Sequence, residues 1–286
     1  MAVVNTNVSA AIAQSALARN DRALGTAMEQ LSTGRKINSA GDNASGLAIT
    51  ARMTSQIKGL DTAIRNANDA ISMIGTAEGA LDEISNMLQR MRELAVQAGT
   101  GTTDSADRTY MQTEFSALRS EIDRIADNTQ WNGRNILDGS AGASTGKSAV
   151  AFQVGSDYKQ TISTSFGNFN NTTGKLSGLA SKVISGTTIT SAVLMASKSI
   201  VEIDVVIGDV SSQRATFGAV SNRLTHAIDN LTNVKTNAEA SRSRILDTDY
   251  AAATTEMART QIIQQAGTAM LAQANALPQT VLALLQ

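Results

Sequence analysis

Residues 57–98 read IKGLDTAIRNANDAISMIGTAEGALDEISNMLQRMRELAVQA, and this segment carries the strongest structural signal in the chain. Its apolar residues recur at intervals of three or four: Ile57, Leu60, Ile64, Ala67, Ile71, Ile74, Ala77, Leu81, Ile84, Leu88, Met91, Ala95 and Ala98. This spacing is typical of the buried face of a long helix in a coiled coil or bundle. Two intervals of three meet around Gly75, which predicts local overwinding of the supercoil at that point.

Two further segments repeat the same periodicity. After the polar stretch GTGTTDSAD, residues 99–107, one segment has apolar residues at Met111, Phe115, Leu118, Ile122 and Ile125. The other has them at Val193, Ala196, Ile200, Ile203, Ile207 and Val210, then at Phe217, Leu224, Ile228, Leu231 and Val234. Three amphipathic helices with matching seams predict a bundle in which each helix covers the apolar face of the others.

The two ends of the chain carry narrower stripes. Apolar residues recur at every seventh position: Val3, Ala10, Leu17, Leu24 and Leu31 near the start, and Ile263, Met270, Leu277 and Leu284 near the end. The intervening seam positions are polar or small, at Gln14, Asp21, Gly267 and Ala274. Because helices in proteins are stabilised mainly by tertiary packing, these terminal helices are predicted to need partners.

Between the second and third helical segments the pattern changes to alternation. AVAFQVG, residues 149–155, and QTISTSF, residues 160–166, alternate apolar and polar side chains around the turn residues SDYK, which predicts a β-hairpin. GNFNNTTGKLSG, residues 167–178, is typical of a loop. The predicted fold class is therefore mainly α, a long helical hairpin or coiled-coil bundle with a small β-hairpin region.

Composition excludes several function classes. The chain has 286 residues, with 24 Lys and Arg against 25 Asp and Glu, so no basic excess favours a nucleic-acid partner. Cysteine is absent, which excludes disulfides and thiolate sites. No apolar run approaches the roughly 20 residues of a membrane span, so no membrane insertion is predicted. The first twenty residues also lack the basic and apolar regions of an ordinary secretory signal.

None of the candidate catalytic and ligand-binding motifs has all the residues that its chemistry requires. Gly41-x4-Gly46 has the spacing of a phosphate loop, but Leu47 and Ala48 follow where Lys and Ser or Thr are required. His226 is the single histidine, so neither a catalytic triad nor an HExxH zinc site can be built. The Asp247 and Asp249 pair fits a helix N-cap better than a metal site. The sequence predicts no enzyme, no cofactor and no metal.

One charged segment keeps two interpretations open. QRMRELAVQ, residues 89–97, carries charges three residues apart on a face away from the apolar seam. This face is either a solvated surface with local Arg–Glu pairs or a recognition surface, and composition alone does not separate the two.

Several motifs in a fixed order closely resemble those of bacterial flagellin. They are NTN at residues 5–7, LSTGRKINSAGDNASGLAI at 31–49, IKGLDTAIRNANDAISM at 57–73, LQRMRELAVQA at 88–98, NTQWNGRNILDG at 128–139, FQVG at 152–155, RSRILDTDYA at 242–251 and QIIQQAGTAMLAQANALPQTVLALLQ at 261–286. The resemblance spans about residues 1–139 and 191–286. Between these parts, where many flagellins carry large variable outer domains, this chain has only a short stretch, so it resembles a minimal member of the family.

The resemblance implies a hairpin-like subunit in four segments. Residues 1–45 form the N-terminal part of an inner coiled-coil domain together with a joint, and residues 247–286 form its C-terminal part. Residues 46–190, with the β-hairpin and the short variable stretch, and residues 191–246 form the outer helical domain. On this interpretation LSTGRKINSAGDNASG, residues 31–46, is the joint, its glycines supplying unusual backbone angles.

The implied function is that of a structural subunit that polymerises into the bacterial flagellar filament for swimming motility. The alternative is a flagellar hook–filament junction protein, which would share the terminal helices. The implied partners are other copies of the chain in a helical homopolymer, an export chaperone, the type III export apparatus, hook-associated and cap proteins, and host innate immune receptors. The implied location is secreted and extracellular, in the flagellar filament.

The resemblance also implies three sets of site residues. Polymerisation is assigned to Leu17, Leu24, Leu31, Ile263, Met270, Leu277 and Leu284. Recognition by the vertebrate Toll-like receptor for flagellin is assigned to Gln89, Arg90, Glu93, Leu94, Gln97 and Glu114. The segment Glu29–Thr50 aligns with the family's plant-receptor epitope and keeps Asp42, Gly46 and Leu47. It departs at Gly41 and Asn43, where many members have a basic residue and a second acid.

Overall fold

The computed structural model describes residues 7–142, 149–170, 174–179, 182–185 and 188–283. Its helices are α1 (Val8–Thr33), α2 (Ala40–Ala98), α3 (Ser105–Asn128), α4 (Ile189–Leu246) and α5 (Tyr250–Ala283), with a short 3-10 turn at Ser177–Leu179. Its strands are β1 (Gln130–Trp131), β2 (Arg134–Asn135), β3 (Ala149–Gln153) and β4 (Thr161–Ser165). The predicted fold class, mainly helical with a small hairpin region, is confirmed.

Two compact units divide the chain. The first comprises Met1–Ile57 and Thr236–Gln286, and the second comprises Lys58–Lys235. These bounds follow from contacts between residues, and they fall inside α2 and α4. The boundaries at 45/46 and 246/247, which follow sequence motifs, stay a prediction about domains.

The second unit is built around α2, α3 and α4. Its core contains the residues predicted from the three seams, among them Leu81, Leu88, Phe115 and Phe217, all fully buried. Ion pairs between α2 and α4 join Asp61 to Lys235, Asp82 to Arg214 and Arg92 to Asp204, with N–O distances of 2.6, 3.0 and 2.7 Å. Since the residue number rises on one helix as it falls on the other, the two helices are antiparallel.

The predicted overwinding around Gly75 stays a prediction, although the buried residues of α2 near this glycine differ in part from the predicted ones. Ala70 is fully buried, whereas Ile71 is only half-buried. The buried positions from residue 63 to residue 81 are Ala63, Ala67, Ala70, Met73, Ile74, Ala77 and Leu81. Four of these seven residues are alanines, which the sequence pattern underrated because larger isoleucines stand next to some of them.

A buried arginine fixes the turn between α2 and α3. Arg108 is 1% exposed. Its Nε donates to the backbone carbonyl of Ala98 at 3.0 Å and its Nη2 to that of Thr100 at 2.9 Å. These carbonyls lie at the C-terminal end of α2, where unpaired acceptors and the helix dipole favour a cation. The charge is thus held by main-chain oxygens at a helix end.

Two antiparallel hairpins lie in the second unit. The predicted one pairs β3 with β4, in the register Ala149 to Ser165 through Gln153 to Thr161. A second, which the sequence analysis did not predict, pairs β1 with β2. Asn132 and Gly133 form its turn with φ of 49° and 74°. Consecutive positive φ values are those of a type I′ turn, for which Asn-Gly is the preferred pair, so the dipeptide was an available signal.

Candidate subunit-contact and recognition surfaces

In the first unit α1 and α5 pack along each other as an antiparallel pair. Hydrogen bonds cross between them from Asn7 Nδ2 to the carbonyl of Ala274 at 2.8 Å and from Asn20 Nδ2 to the carbonyl of Thr260 at 2.7 Å. Gln264 Nε2 donates to Asp21 Oδ1 at 2.9 Å. Polar groups at a helical seam fix register and orientation at some cost in stability. These bonds fix the register of α1 against α5, and Ala27 and Ala253 are the buried apolar residues in the described parts of the two helices.

The α1 face of this pair follows a regular seam of intervals three and four. Its residues are Ala10, Ala13, Leu17, Asn20, Leu24, Ala27 and Leu31, all buried or half-buried. The predicted intervening positions, Gln14 and Asp21, are exposed. This part of the sequence prediction is wrong by one residue, since the helix turns Ala13, Asn20 and Ala27 toward α5.

The predicted polymerisation residues lie in two different environments. Leu17, Leu24 and Leu31 are half-buried along the face of α1 that meets α5, and the Leu17 side chain packs over Gly267. Ile263 and Met270 on α5 are 46% and 66% exposed. For Leu277 only the helical backbone is described, and Val3 and Leu284 lie outside the described residues.

Other aliphatic side chains of these helices also face outward, and the sequence analysis missed them. They are Val8, Ile12 and Met28 on α1 and Ile262 on α5, each at least half exposed. They lie outside the heptad stripes, so the sequence pattern did not indicate them. The exposed apolar surface of this helix pair therefore extends beyond the stripes predicted from the sequence.

The segment after α1 is an ordered connection within the first unit. Gly34 ends α1 with φ of 69°, and the Tyr250 hydroxyl lies 2.9 Å from the place where a Cβ would stand. Lys36 N donates to the Leu246 carbonyl at 2.6 Å and Thr248 N to the Gly34 carbonyl at 3.1 Å. Of the three glycines predicted to supply unusual backbone angles, Gly34 alone has a positive φ.

The predicted epitope residues Asp42, Gly46 and Leu47 have structural roles in this segment. Asp42 Oδ2 accepts from the amides of Ser39 at 2.8 Å and Asn38 at 3.0 Å. These two bonds, that of Ser39 first, lower the pKa of Asp42. A Cβ on Gly46 would lie 2.6 Å from Ile37 Cδ1, so a larger residue there requires the Ile37 side chain to shift. Leu47 is half-buried beside a cleft of about 520 Å³ that Arg35 and Arg242 also line.

On the second unit, Arg90 lies at the centre of an ion-pair cluster. Its Nη1 lies 3.0 Å from Glu93 Oε2, one turn along α2, and its Nε lies 2.8 Å from Glu114 Oε1 on α3. The carboxylates of Glu114 and then Glu93 raise the pKa of Arg90 through these hydrogen bonds. Glu114, which the resemblance places in the same recognition set, therefore contacts Arg90 directly. The guanidinium is oriented by both carboxylates and about half exposed.

The remaining residues predicted for receptor recognition divide by exposure. Gln89 and Gln97 are exposed beside the cluster. Leu94 is 2% exposed and belongs to the core of the second unit, so its side chain supports this face from beneath and does not present itself to a partner. We therefore leave Leu94 out of the candidate contact set.

The motifs that the sequence analysis rejected as catalytic have ordinary structural roles. Asp249 Oδ1 accepts from the amides of Ala251 at 2.9 Å and Ala252 at 3.3 Å, as an N-cap of α5. Asp247 instead accepts from the Ser243 hydroxyl at 2.6 Å. His226 is exposed on α4. Within the described ranges no group of three His, Asp or Glu side chains could hold a metal ion, and no helix is long and apolar enough to cross a membrane.

Comparison with known protein families accounts for most of the chain. Residues 4–142 match the model of the bacterial flagellin N-terminal helical region, and residues 200–285 match that of the C-terminal helical region. The chain belongs to the bacterial flagellin family. This flagellin is therefore a structural subunit of the bacterial flagellar filament. The filament is extracellular, and the subunit polymerises with other copies of itself.

Individual relatives agree with a short flagellin. Flagellin from Halalkalibacterium halodurans is 42% identical over 284 residues, which cover 99% of this chain and 100% of that protein. Flagellin A from Vibrio anguillarum is 37% identical over 375 residues, with 99% of each chain covered. Because that alignment is longer than the 286 residues of this chain, the Vibrio protein has segments without counterpart here.

A solved structure adds evidence on the fold alone. A Vibrio parahaemolyticus protein designated as flagellar hook-associated superposes with a TM-score of 0.58, covering 72% of this flagellin and 100% of that chain. At 16% identity, this likeness does not support the junction-protein alternative, whereas the family matches and the full-length relatives are flagellins.

Proposed function

We propose that the inner coiled-coil contacts of the filament are made by α1 and α5, through the aliphatic side chains that face away from their shared seam. The observation that carries this proposal is the apolar surface that the pair leaves exposed. Leu17, Leu24 and Leu31 lie half-buried on the face that meets α5. Ile12, Ile262 and Met270 are instead 63%, 66% and 66% exposed. In a filament, neighbouring copies bury these side chains.

The same C-terminal segment is proposed to bind the export chaperone before assembly. An exposed aliphatic face on a helix suits docking into a complementary apolar groove. Export through the type III apparatus then delivers the chain to the growing tip, where cap proteins meet it, while hook-associated proteins join the filament base.

In this proposal the inner domain comprises residues 1–45 and 247–286, and the outer domain comprises residues 46–246. The chain performs no catalysis.

The Arg90 cluster is proposed as the contact for the vertebrate Toll-like receptor, with Gln89, Glu93, Gln97 and Glu114 around it. An exposed guanidinium that two carboxylates already orient loses little conformational freedom when a partner binds it. Arginine side chains combine a planar hydrogen-bonding fork with an apolar stem, and they are frequent interface hot spots. In the filament this face is covered by neighbouring copies, so the receptor binds monomers and not the intact filament.

The segment Glu29–Thr50 is proposed as a plant-receptor epitope of reduced potency. Gly41 and Asn43 stand where many family members carry a basic residue and a second acid, so two charges of opposite sign are missing. Both residues are exposed, and charged groups at such positions would be available for direct contact with a receptor.

A synthetic peptide of residues 29–50 is expected to trigger a plant oxidative burst only at higher concentration than a family consensus peptide. The matched control is the same peptide with Gly41→Lys and Asn43→Asp, which restores both charges and is expected to recover most of the potency. The measurement is a dose–response curve for each peptide. Equal potency of the unchanged and consensus peptides contradicts the proposed weakening.

Brief trypsin treatment of the monomer is expected to remove roughly the first forty to fifty and the last forty residues, because paired helices with little buried apolar area open most easily. Arg19 and Arg259 are exposed on these helices, whereas the second unit has a continuous buried core. Mass spectrometry of the resistant fragment measures the cut positions. Initial cleavage within Ile57–Ala98 would show that the second unit is the weaker one.

A further inference from the structure

The cleft beside Leu47 brings together two arginines from distant parts of the chain. Arg35 lies in the connection after α1, and Arg242 lies near the end of α4. All the residues that line the cleft belong to the first unit. Its volume of about 520 Å³ is within the range of small-molecule sites in proteins. We name it the arginine cleft.

Main-chain hydrogen bonds hold the connection that carries Arg35 against the end of α4. Residues 35 and 247 face each other in an antiparallel bridge. On either side of it, Lys36 N donates to the Leu246 carbonyl at 2.6 Å and Thr248 N donates to the Gly34 carbonyl at 3.1 Å. Because the backbone at both arginines is already ordered, a ligand that binds between them loses little affinity to the ordering of the chain.

The hydroxyl groups of the arginine cleft already use their hydrogens within the chain. The hydroxyls of Thr50 and Thr54 donate to main-chain carbonyls of α2 at 3.0 and 2.7 Å. The Ser243 hydroxyl donates to Asp247 Oδ2 at 2.6 Å. A ligand in the cleft therefore meets these three hydroxyls mainly as acceptors, and the donors that it can use are on the arginines.

The two guanidinium groups have no carboxylate partner in the described part of the chain. There the Arg35 guanidinium makes no hydrogen bond, and that of Arg242 makes one long contact, 3.5 Å from Nη1 to the Thr54 hydroxyl. Asp247 is the single acid that lines the cleft, and it forms an ion pair with neither arginine. Two cations against one acid leave a net positive charge, and Arg242 is half-buried. A cation in such a place favours an anionic ligand.

The chemistry of the arginine cleft suits a phosphate group better than a carboxylate. The planar fork of a guanidinium matches two oxygens of either group. A carboxylate has only two oxygens, whereas a phosphate has enough to meet one fork on each side. Ile37, Leu47 and Leu246 also line the cleft, so an organic group attached to the phosphate would find apolar surface.

We propose that the arginine cleft binds a phosphate group, either free phosphate or the phosphate of a monoester, between Arg35 and Arg242. The bound anion joins the connection after α1 to the end of α4 and supplies the counter-charge that both guanidinium groups lack. This binding site goes beyond the proposed function. Its test measures binding to the full-length monomer, so it does not depend on the filament or receptor contacts proposed above.

NMR titration of the ¹⁵N-labelled chain with inorganic phosphate tests the site. The expected result is a saturable shift of the Arg35 and Arg242 Nε signals and of the Lys36 and Thr248 amides. Sodium chloride at the same ionic strength is expected to give no saturation, and equal shifts in the two salts overturn the proposal. Phenyl phosphate is titrated in parallel. Half-saturation at a lower concentration than that of inorganic phosphate assigns a monoester, and an equal or higher one assigns free phosphate.

Single arginine variants show whether both guanidinium groups hold the anion. Arg35→Gln and Arg242→Gln are each expected to weaken phosphate binding at least tenfold, because each removes charge-assisted hydrogen bonds. Arg244→Gln, at an exposed arginine of the same helix outside the cleft, is the matched control and is expected to bind like wild type. Arg35 is exposed, so its variant keeps the test decisive where Arg242→Gln disturbs the fold. Unchanged binding by Arg35→Gln, or an equal loss in Arg244→Gln, overturns the proposal.

Discussion

Truncation of the chain after Gln261 is expected to abolish filament growth on seeds while the second unit stays folded. The cut removes most of α5, including the exposed Ile262, Ile263 and Met270. It leaves Lys58–Lys235, which contains the entire core of the second unit. Each aliphatic side chain that a neighbour buries fully contributes about 1.5–3 kcal/mol, and the loss recurs at every subunit. Electron microscopy measures growth, and circular dichroism checks the retained helices.

A milder variant separates the loss of subunit contacts from the loss of the α1 partner. Ile263→Ser with Met270→Ser leaves the hydrogen bonds at Asn7, Asn20 and Gln264 intact and is expected to raise the concentration needed for growth at least a hundredfold, since about 3 kcal/mol corresponds to two decades. Ala266→Ser with Ala269→Ser, on exposed positions of the same helix, is the control. Growth of the truncated chain on seeds would refute the assignment of α5 to the filament interior.

Arg90→Ala is expected to lower Toll-like receptor activation by the monomer at least thirtyfold. Truncation of an interface hot spot costs about 2 kcal/mol or more, which corresponds to about thirtyfold in affinity. The variant also leaves Glu93 and Glu114 without their shared cation, so two carboxylates would face the receptor. The measurement is a dose–response curve in reporter cells, with the fold checked by circular dichroism.

The control for this prediction is a second exposed arginine in a comparable ion pair. Arg259 lies 2.7 Å from Glu256, one turn earlier on α5 in the first unit. Arg259→Ala is expected to activate like wild type, because it removes the same kind of pair away from the proposed contact. Equal potency of Arg90→Ala and wild type excludes Arg90 as the contact, and a silent wild type excludes this chain as a ligand of the receptor.

The long helices could be predicted from sequence because the thirteen apolar positions in residues 57–98 recur at intervals of three or four, which fits an α-helix and not a strand. The details that failed involve residues of similar character next to each other. Asn20 and Asp21 are both polar and both hydrogen-bond to α5, Asn20 from a buried position and Asp21 from an exposed one. Ala70 is buried and its larger neighbour Ile71 is half-buried, which the sequence pattern did not predict.

The sequence predicted which residues belong to the candidate sites better than it predicted how the fold arranges them. The spacing of Arg90 and Glu93 placed them on one face, but the 2.8 Å contact with Glu114 depends on how α3 packs against α2. The burial of Leu94 also depends on that packing.

Arg108 holds the turn between α2 and α3 through the uncharged backbone carbonyls of Ala98 and Thr100. The cap at Asp42 behaves differently. The pKa of Asp42 is lower in the folded chain than in the unfolded chain. The cap therefore stabilises the fold at pH values above the pKa of the unfolded chain, and this stabilisation is lost as the pH falls through the pKa of the folded chain. Acidification therefore weakens the cap that Asp42 makes on the amides of Asn38 and Ser39 and loosens the connection after α1.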